Sequence, residues 1–221
     1  MSKPKEAVKA MPKQKDDLTA VGKKRINVRY LTATAMLSAL SFVLFFIQFS
    51  TPLTPEFLKM DISELPALIG SFSMGPVYGI LICLVKNLLH LTITSTGGVG
   101  ELSNFLLGVA FVLPAGLIYQ RHKTKKTAII GALTGAAIMA IVSVPSNYFI
   151  VYPVYTAFMP MDTIINMYQA ILPGVKNLWQ CLLIFNMPFT FVKGLLSVIV
   201  TLLVYKHISP IIKGTKRKFF L

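Results

Sequence analysis

The 221-residue chain is a succession of apolar runs separated by short polar or proline-containing breaks. The first run, Leu31 to Ser50, is about 20 residues long, enough for a helix to cross ~30 Å of hydrocarbon. A polar stretch with prolines, Thr51 to Ser63, follows it. Leu65 to Ser73 is apolar but too short to cross upright, and it stops at Gly75-Pro76, a helix-breaking pair. Val77 to Thr92 is a third segment, closed by a glycine-rich loop (Gly97, Gly98, Gly100). Leu102 to Tyr119 and Ala128 to about Ile150 are the fourth and fifth. A long segment carrying Pro153, Pro160 and Pro173 leads to the sixth, Leu183 to Tyr205.

Composition fixes the solvent. Charged residues make up 14% of the chain, hydrophobic residues 54%, and the mean hydropathy is +0.67. Soluble domains carry about 25% charge, so the chain lacks the coat that water requires, and the pattern predicts an integral membrane protein. The first apolar run is long enough to span rather than to serve as a cleaved signal. Cys83 and Cys181 lie far apart in apolar surroundings, without metal-ligand spacing, and read as small buried hydrophobes. No metal site is expected.

The net charge of +14 would suit nucleic acid, but its distribution points elsewhere. Nine Lys/Arg precede Leu31, four cluster at Arg121, Lys123, Lys125 and Lys126, and five follow the last apolar run. Cationic loops stay cytoplasmic. If the short second segment crosses, all three clusters fall on one side, which predicts six transmembrane helices with both termini cytoplasmic. The second helix would then be tilted, or extended by the residues around Asp61 and Glu64. The expected organisation is a basic cytoplasmic tail (1–30), a six-helix membrane domain (31–213) and a second basic tail (214–221). Loops 51–63, 93–101 and 151–182 would lie outside.

Polar groups within spans are expensive and usually face a cavity or a partner. Asn186, Thr190, Lys193 and Ser197 share one face of the sixth segment. Lys193 lies too deep to snorkel easily. Lys86 and Asn87 occupy the third segment with His90, which reads as a hydrogen-bonded packing residue. Glu101 and Asn104 share a face at the start of the fourth; Asn147 and Tyr148 end the fifth. These groups gather in the outer half and suit a neutral ligand rich in hydroxyls and carbonyls, with Leu65, Pro66, Tyr155 and Trp179 available to cover a flat ring. Small residues form stripes at Ala35 and Ala39 in the first span, which suggest docking on another protein. A second stripe around Gly131 and Gly135 in the fifth suggests packing within the chain. No phosphate loop, HExxH or GxSxG is present, so the chain has no recognisable means of hydrolysing ATP and no catalytic residues are assigned.

The order of several short motifs resembles the riboflavin-specific S components of energy-coupling factor (ECF) vitamin transporters. They are Met60-Asp-Ile-Ser-Glu-Leu-Pro-Ala-Leu-Ile-Gly70, Gly75-Pro76, Lys86-Asn87, Glu101-Leu-Ser-Asn104-Phe-Leu-Leu-Gly108 and Asn147-Tyr148-Phe149 with Pro153 and Tyr155. Pro188-Phe-Thr190-Phe-Val-Lys193-Gly194 and Ser209-Pro210 complete the series. The likeness covers roughly residues 31 to 213. It implies a six-helix, all-α subunit of the bacterial plasma membrane that binds riboflavin as transported ligand, not cofactor. Such a subunit partners a membrane-embedded coupling protein and two ATPases, and topples in the bilayer to release the vitamin. It also implies that Asn147 and Lys193 belong to the flavin site, and that the AxxxA pair Ala35 and Ala39 docks on the coupling protein. The family usually has Asn where this chain has Thr190. The expected ligand-binding set is Asp61, Leu65, Lys86, Asn87, Glu101, Asn104, Asn147, Tyr148, Thr190 and Lys193. Another vitamin or FMN, a membrane-embedded enzyme using Glu101, His90 and Lys193, and a solitary secondary transporter are the alternatives; the absence of an internal repeat disfavours the last.

Overall fold

The computed structural model describes residues 28–213 except 52, 56, 57, 95, 96 and 158, with the side chains of 205–213 also left undescribed. The two basic tails therefore lie outside the described residues, apart from 28–30, which open the first helix. The chain is a helical bundle. α1 (Val28–Phe45) is followed by a hairpin of two short strands, β1 (Phe49–Ser50) and β2 (Lys59–Met60), which pair antiparallel with Phe49 opposite Met60. Then come α2 (Leu65–Met74), α3 (Pro76–Leu91), α4 (Val99–Arg121) and α5 (Lys125–Ser146). α5 continues through a π-helical turn (Asn147–Val151) into α6 (Tyr152–Tyr155). After α7 (Met161–Gln169), α8 (Leu178–Cys181) runs through a second π turn (Leu182–Asn186) into α9 (Met187–Lys213).

Among the described residues, four helical rods are long and apolar enough to cross a membrane: Val28–Phe45, Val99–Arg121, Lys125–Tyr155 and Leu178–Val204. α2 and α3 are shorter. α2 is not extended by Asp61 and Glu64, which precede it. Its shortness is tolerated for another reason: Leu65 through Ser73 are all buried, enclosed by α1, α3, α4 and α9. Backbone ends at membrane depth are stable where protein rather than lipid surrounds them. Gly75, at φ +120°, makes the break between α2 and α3, a backbone conformation that a side chain would strain.

α4 and α5 pack closely because α5 turns glycine towards α4. A Cβ on Gly131 would lie 2.8 Å from the Ala115 carbonyl, and one on Gly135 would collide with the Phe111 carbonyl. Ala128, Ala132, Ala136 and Ala140 are buried along the same stripe, which is intramolecular as its sequence suggests. Ala35 and Ala39 behave oppositely: both are exposed on α1, among exposed Leu31, Met36, Leu40 and Val43. The other face of α1, with Thr34, Leu37, Ser38 and Ser41, is buried.

Prolines explain the two π turns. A proline within a helix lacks its N–H and pushes against the carbonyl four residues back. For Pro153 that carbonyl belongs to Phe149, and for Pro188 to Ile184, the middle residue of each π segment. The chain accommodates the clash by widening one turn, so that the Tyr152 N–H bonds to the Asn147 carbonyl and the Met187 N–H to that of Leu182. Wide turns of this kind re-aim the side chains they carry.

Candidate functional site

A cavity of about 160 Å³ opens where the start of α4, the end of α5, α6 and the upper part of α9 meet the hairpin loop. The π turns supply Asn147, Val151 and Asn186 to its wall. α4 supplies Ser103 and Asn104, α9 supplies Phe189, Thr190 and Lys193, and Tyr152 and Tyr155 come from α6. Leu58, Lys59 and Glu64 close the side formed by the loop. The cavity lies at the end of the bundle opposite the basic α4–α5 turn, since it takes the first turns of α4 and the last of α5.

Lys193 turns inward. Its ammonium donates to Asp61 Oδ2 at 2.8 Å and to Asn104 Oδ1 at 3.5 Å, with the lysine side chain 12% exposed and the aspartate 3%. Asp61 is held in turn: its Oδ1 accepts from the Ser63 amide (2.9 Å) and hydroxyl (2.6 Å). The Ser63 hydroxyl also accepts from Lys86 Nζ at 2.7 Å, and Lys86 pairs with Glu64 Oε1 at 2.6 Å. The Ser41 hydroxyl donates to the Ser63 carbonyl, tying α1 to the same loop. One connected chain of polar groups thus links α9, α4, the β2–α2 connection, α3 and α1. Asp61 precedes α2 and lies outside the spanning helices. Burial alone would raise its pKa, but the Lys193 ammonium, helped by Lys86 and the hydrogen bonds, lowers it to about 2.

A second network roofs the cavity. The Tyr168 hydroxyl, on fully buried Tyr168 of α7, donates to Asn186 Oδ1 at 2.7 Å and lies 2.5 Å from the Tyr152 hydroxyl. The Asn186 amide reaches the Tyr152 hydroxyl at 3.4 Å.

The ECF transporter, substrate-specific component family matches residues 29–205. The chain is an ECF-transporter S component. It is 34% identical to the riboflavin transporter RibU of Staphylococcus aureus (strain TCH60), over 87% of this chain and 98% of that one. It is 30% identical to the riboflavin transporter FmnP of Bacillus subtilis (strain 168), over 84% and 94%. A solved S component of a bacterial ECF transporter superposes with a TM-score of 0.66 at 34% identity, over 84% of this chain and 98% of that one. Membership makes this S component a membrane protein that works with an ECF module.

Of the ten residues that the sequence nominates for ligand binding, the S component brings Asn104, Asn147, Thr190 and Lys193 together in the cavity wall. Six do not line it. Asp61 stands behind Lys193 and grips its ammonium. Lys86 is fully buried against Glu64, and Asn87 donates to the Cys83 carbonyl one turn back. Glu101 accepts from Thr94 at 2.9 Å and meets His90 Nδ1 at 2.7 Å, beside the Phe45 ring. Tyr148 is exposed and packs edge-on against Phe149 and Trp179, and Leu65 belongs to the core. An acid–base trio of Glu101, His90 and Lys193 does not assemble, because the first two bond each other and the third bonds Asp61 and Asn104. Sequence reasoning missed Glu64, Ser103 and Tyr152 as cavity residues. Glu64 was visible as a carboxylate immediately before an apolar helix; nothing in the local pattern marked the other two.

Proposed function

We propose that this S component is the riboflavin-binding subunit of an ECF importer, capturing the vitamin from outside the cell and delivering it through its partner module. The observation that carries the reading is the cavity itself. Amides at Asn104, Asn147 and Asn186, hydroxyls at Thr190, Tyr152 and Ser103, and the Lys193 ammonium converge there, beside the apolar side chains Leu58, Leu107, Met139 and Phe189. Hydroxyls, carbonyls and a flat ring would each find a partner. The names of the riboflavin-transporting relatives, which align with most of the chain, support the same ligand.

The orientation follows from charge. With the basic α4–α5 turn and both tails cytoplasmic, the cavity at the opposite end faces outward, in a multi-pass protein of the bacterial plasma membrane. α2 and α3 would complete six crossings. Ala35 and Ala39, exposed on α1, would then meet the coupling protein of a module that also contains two ATPases. Purification in detergent after growth on rich medium tests the ligand. A yellow chromophore released on denaturation with a flavin spectrum, and stoichiometric quenching of riboflavin fluorescence on re-addition, are expected. A colourless preparation that leaves riboflavin fluorescence unchanged overturns the reading.

A further inference from the structure

Among the described residues, the buried charges around the cavity pair Lys193 with Asp61 and Lys86 with Glu64, and the Glu101 carboxylate meets His90. The remaining charged side chain in the cavity wall, Lys59, is exposed on β2, where water screens it. We infer that Asp61 is a specificity-determining residue that positions Lys193 and cancels its charge, so that the cavity accepts a neutral polyhydroxyl ligand and refuses the phosphate ester of the same ligand. The inference rests on the riboflavin reading and adds the residue that sets the ligand's charge.

The geometry gives Asp61 both tasks. Its Oδ2 fixes the ammonium, while its Oδ1 is locked by two hydrogen bonds from Ser63, so the carboxylate cannot swing away without breaking three contacts. A lysine held this way still has N–H groups to donate to an uncharged oxygen, but its charge is already answered. A phosphate dianion entering the cavity would find no unanswered buried cation among the described residues, and would be desolvated without a counter-charge. Removing the carboxylate leaves the ammonium as an uncompensated positive charge facing the ligand, which shifts the preference towards the phosphate ester.

The experiment is a fluorescence-quenching titration of the purified full chain with riboflavin and with FMN, for wild type, Asp61→Asn, Asp61→Glu and the double variant Asp61→Asn/Lys193→Gln. Wild type binds riboflavin more tightly than FMN. Asp61→Asn is expected to weaken riboflavin several-fold and to shift the FMN-to-riboflavin affinity ratio towards FMN by about tenfold. Asp61→Glu, which keeps the charge, should restore the wild-type ratio, and loss of Lys193 in the double variant should erase the gain. A structural fault would lower both affinities together and leave the ratio still. An unchanged ratio in Asp61→Asn overturns the inference while wild-type riboflavin binding stands. If Asp61→Asn does not fold, a shifted ratio in Asp61→Glu overturns it and a retained ratio supports it. Wild type that binds neither flavin overturns the functional reading and this inference with it.

Discussion

Lys193 is held inside a helical bundle, its side chain 12% exposed and paired with the buried Asp61 carboxylate at 2.8 Å. Removing one partner of a buried pair leaves the other uncompensated, at a cost of roughly 3–5 kcal/mol. Lys193→Ala therefore has two consequences. Ligand binding weakens by about tenfold or more as a charge-assisted hydrogen bond is lost, and the fold loses stability because Asp61 is orphaned 3% exposed. Isothermal titration and thermal unfolding read these separately, and unchanged affinity would remove Lys193 from the site. Asp61 makes a pH prediction of definite sign. Its folded pKa of about 2 lies below the ordinary value of 3.8, so its contribution is fully present above that ordinary value. It is lost as the pH falls through the folded pKa. Thermal unfolding in detergent from pH 5 down to pH 2 should show wild type losing more stability than Asp61→Asn across that window. Parallel curves would mean that the ion pair does not hold the loop.

At the scale of elements, Tyr168 hydrogen-bonds α7 to the cavity wall, beside the buried Ile164 of the same helix. Tyr168 is fully buried, and its hydroxyl joins Asn186 and Tyr152 across two other elements. Tyr168→Phe keeps the ring against Phe185 but leaves the Asn186 carbonyl oxygen without this donor. The expected cost is about 1–3 kcal/mol of local stability, read as faster amide exchange across Met161–Gln169 with the exchange of α4 and α5 unaltered. Equal protection in both proteins would show that packing alone secures α7. The same elements show what a sequence can and cannot announce. The four long apolar runs were legible because lipid imposes length and composition on a helix that crosses it. Lys193 was legible because a deep ammonium needs an explanation. The π turns were not, because a 3.6-residue period assumes regular winding; Pro153 and Pro188 each follow the centre of a widened turn by four residues, but Pro114 and Pro145 sit in regular helix, so proline alone does not announce one. Lys86 misled for a related reason. Its depth predicts a partner, and whether that partner is a ligand or Glu64 depends on how the hairpin loop folds back, which no local pattern records.

At the scale of the molecule, two stripes of small residues look alike in sequence and have opposite fates. The one on α5 is covered by the α4 backbone, so Gly135→Leu should prevent the two helices from approaching and abolish accumulation of folded protein. The one on α1 is left uncovered. Ala35 and Ala39 face away from the core, while Thr34, Leu37, Ser38 and Ser41 of the same helix face into it. Small residues in lipid allow close approach of another helix, and an S component depends on a separate module for its energy. A bulky side chain on this face should therefore block docking without touching the cavity, which is lined by other elements. Ala39→Trp is expected to bind riboflavin with wild-type affinity in detergent and to support no uptake of labelled riboflavin in cells carrying the complete transporter. Uptake at the wild-type rate would move the docking surface elsewhere on the bundle. A fall in affinity would show instead that α1 and the β2–α2 connection, joined through the Ser41–Ser63 hydrogen bond, carry a disturbance from this face to the site.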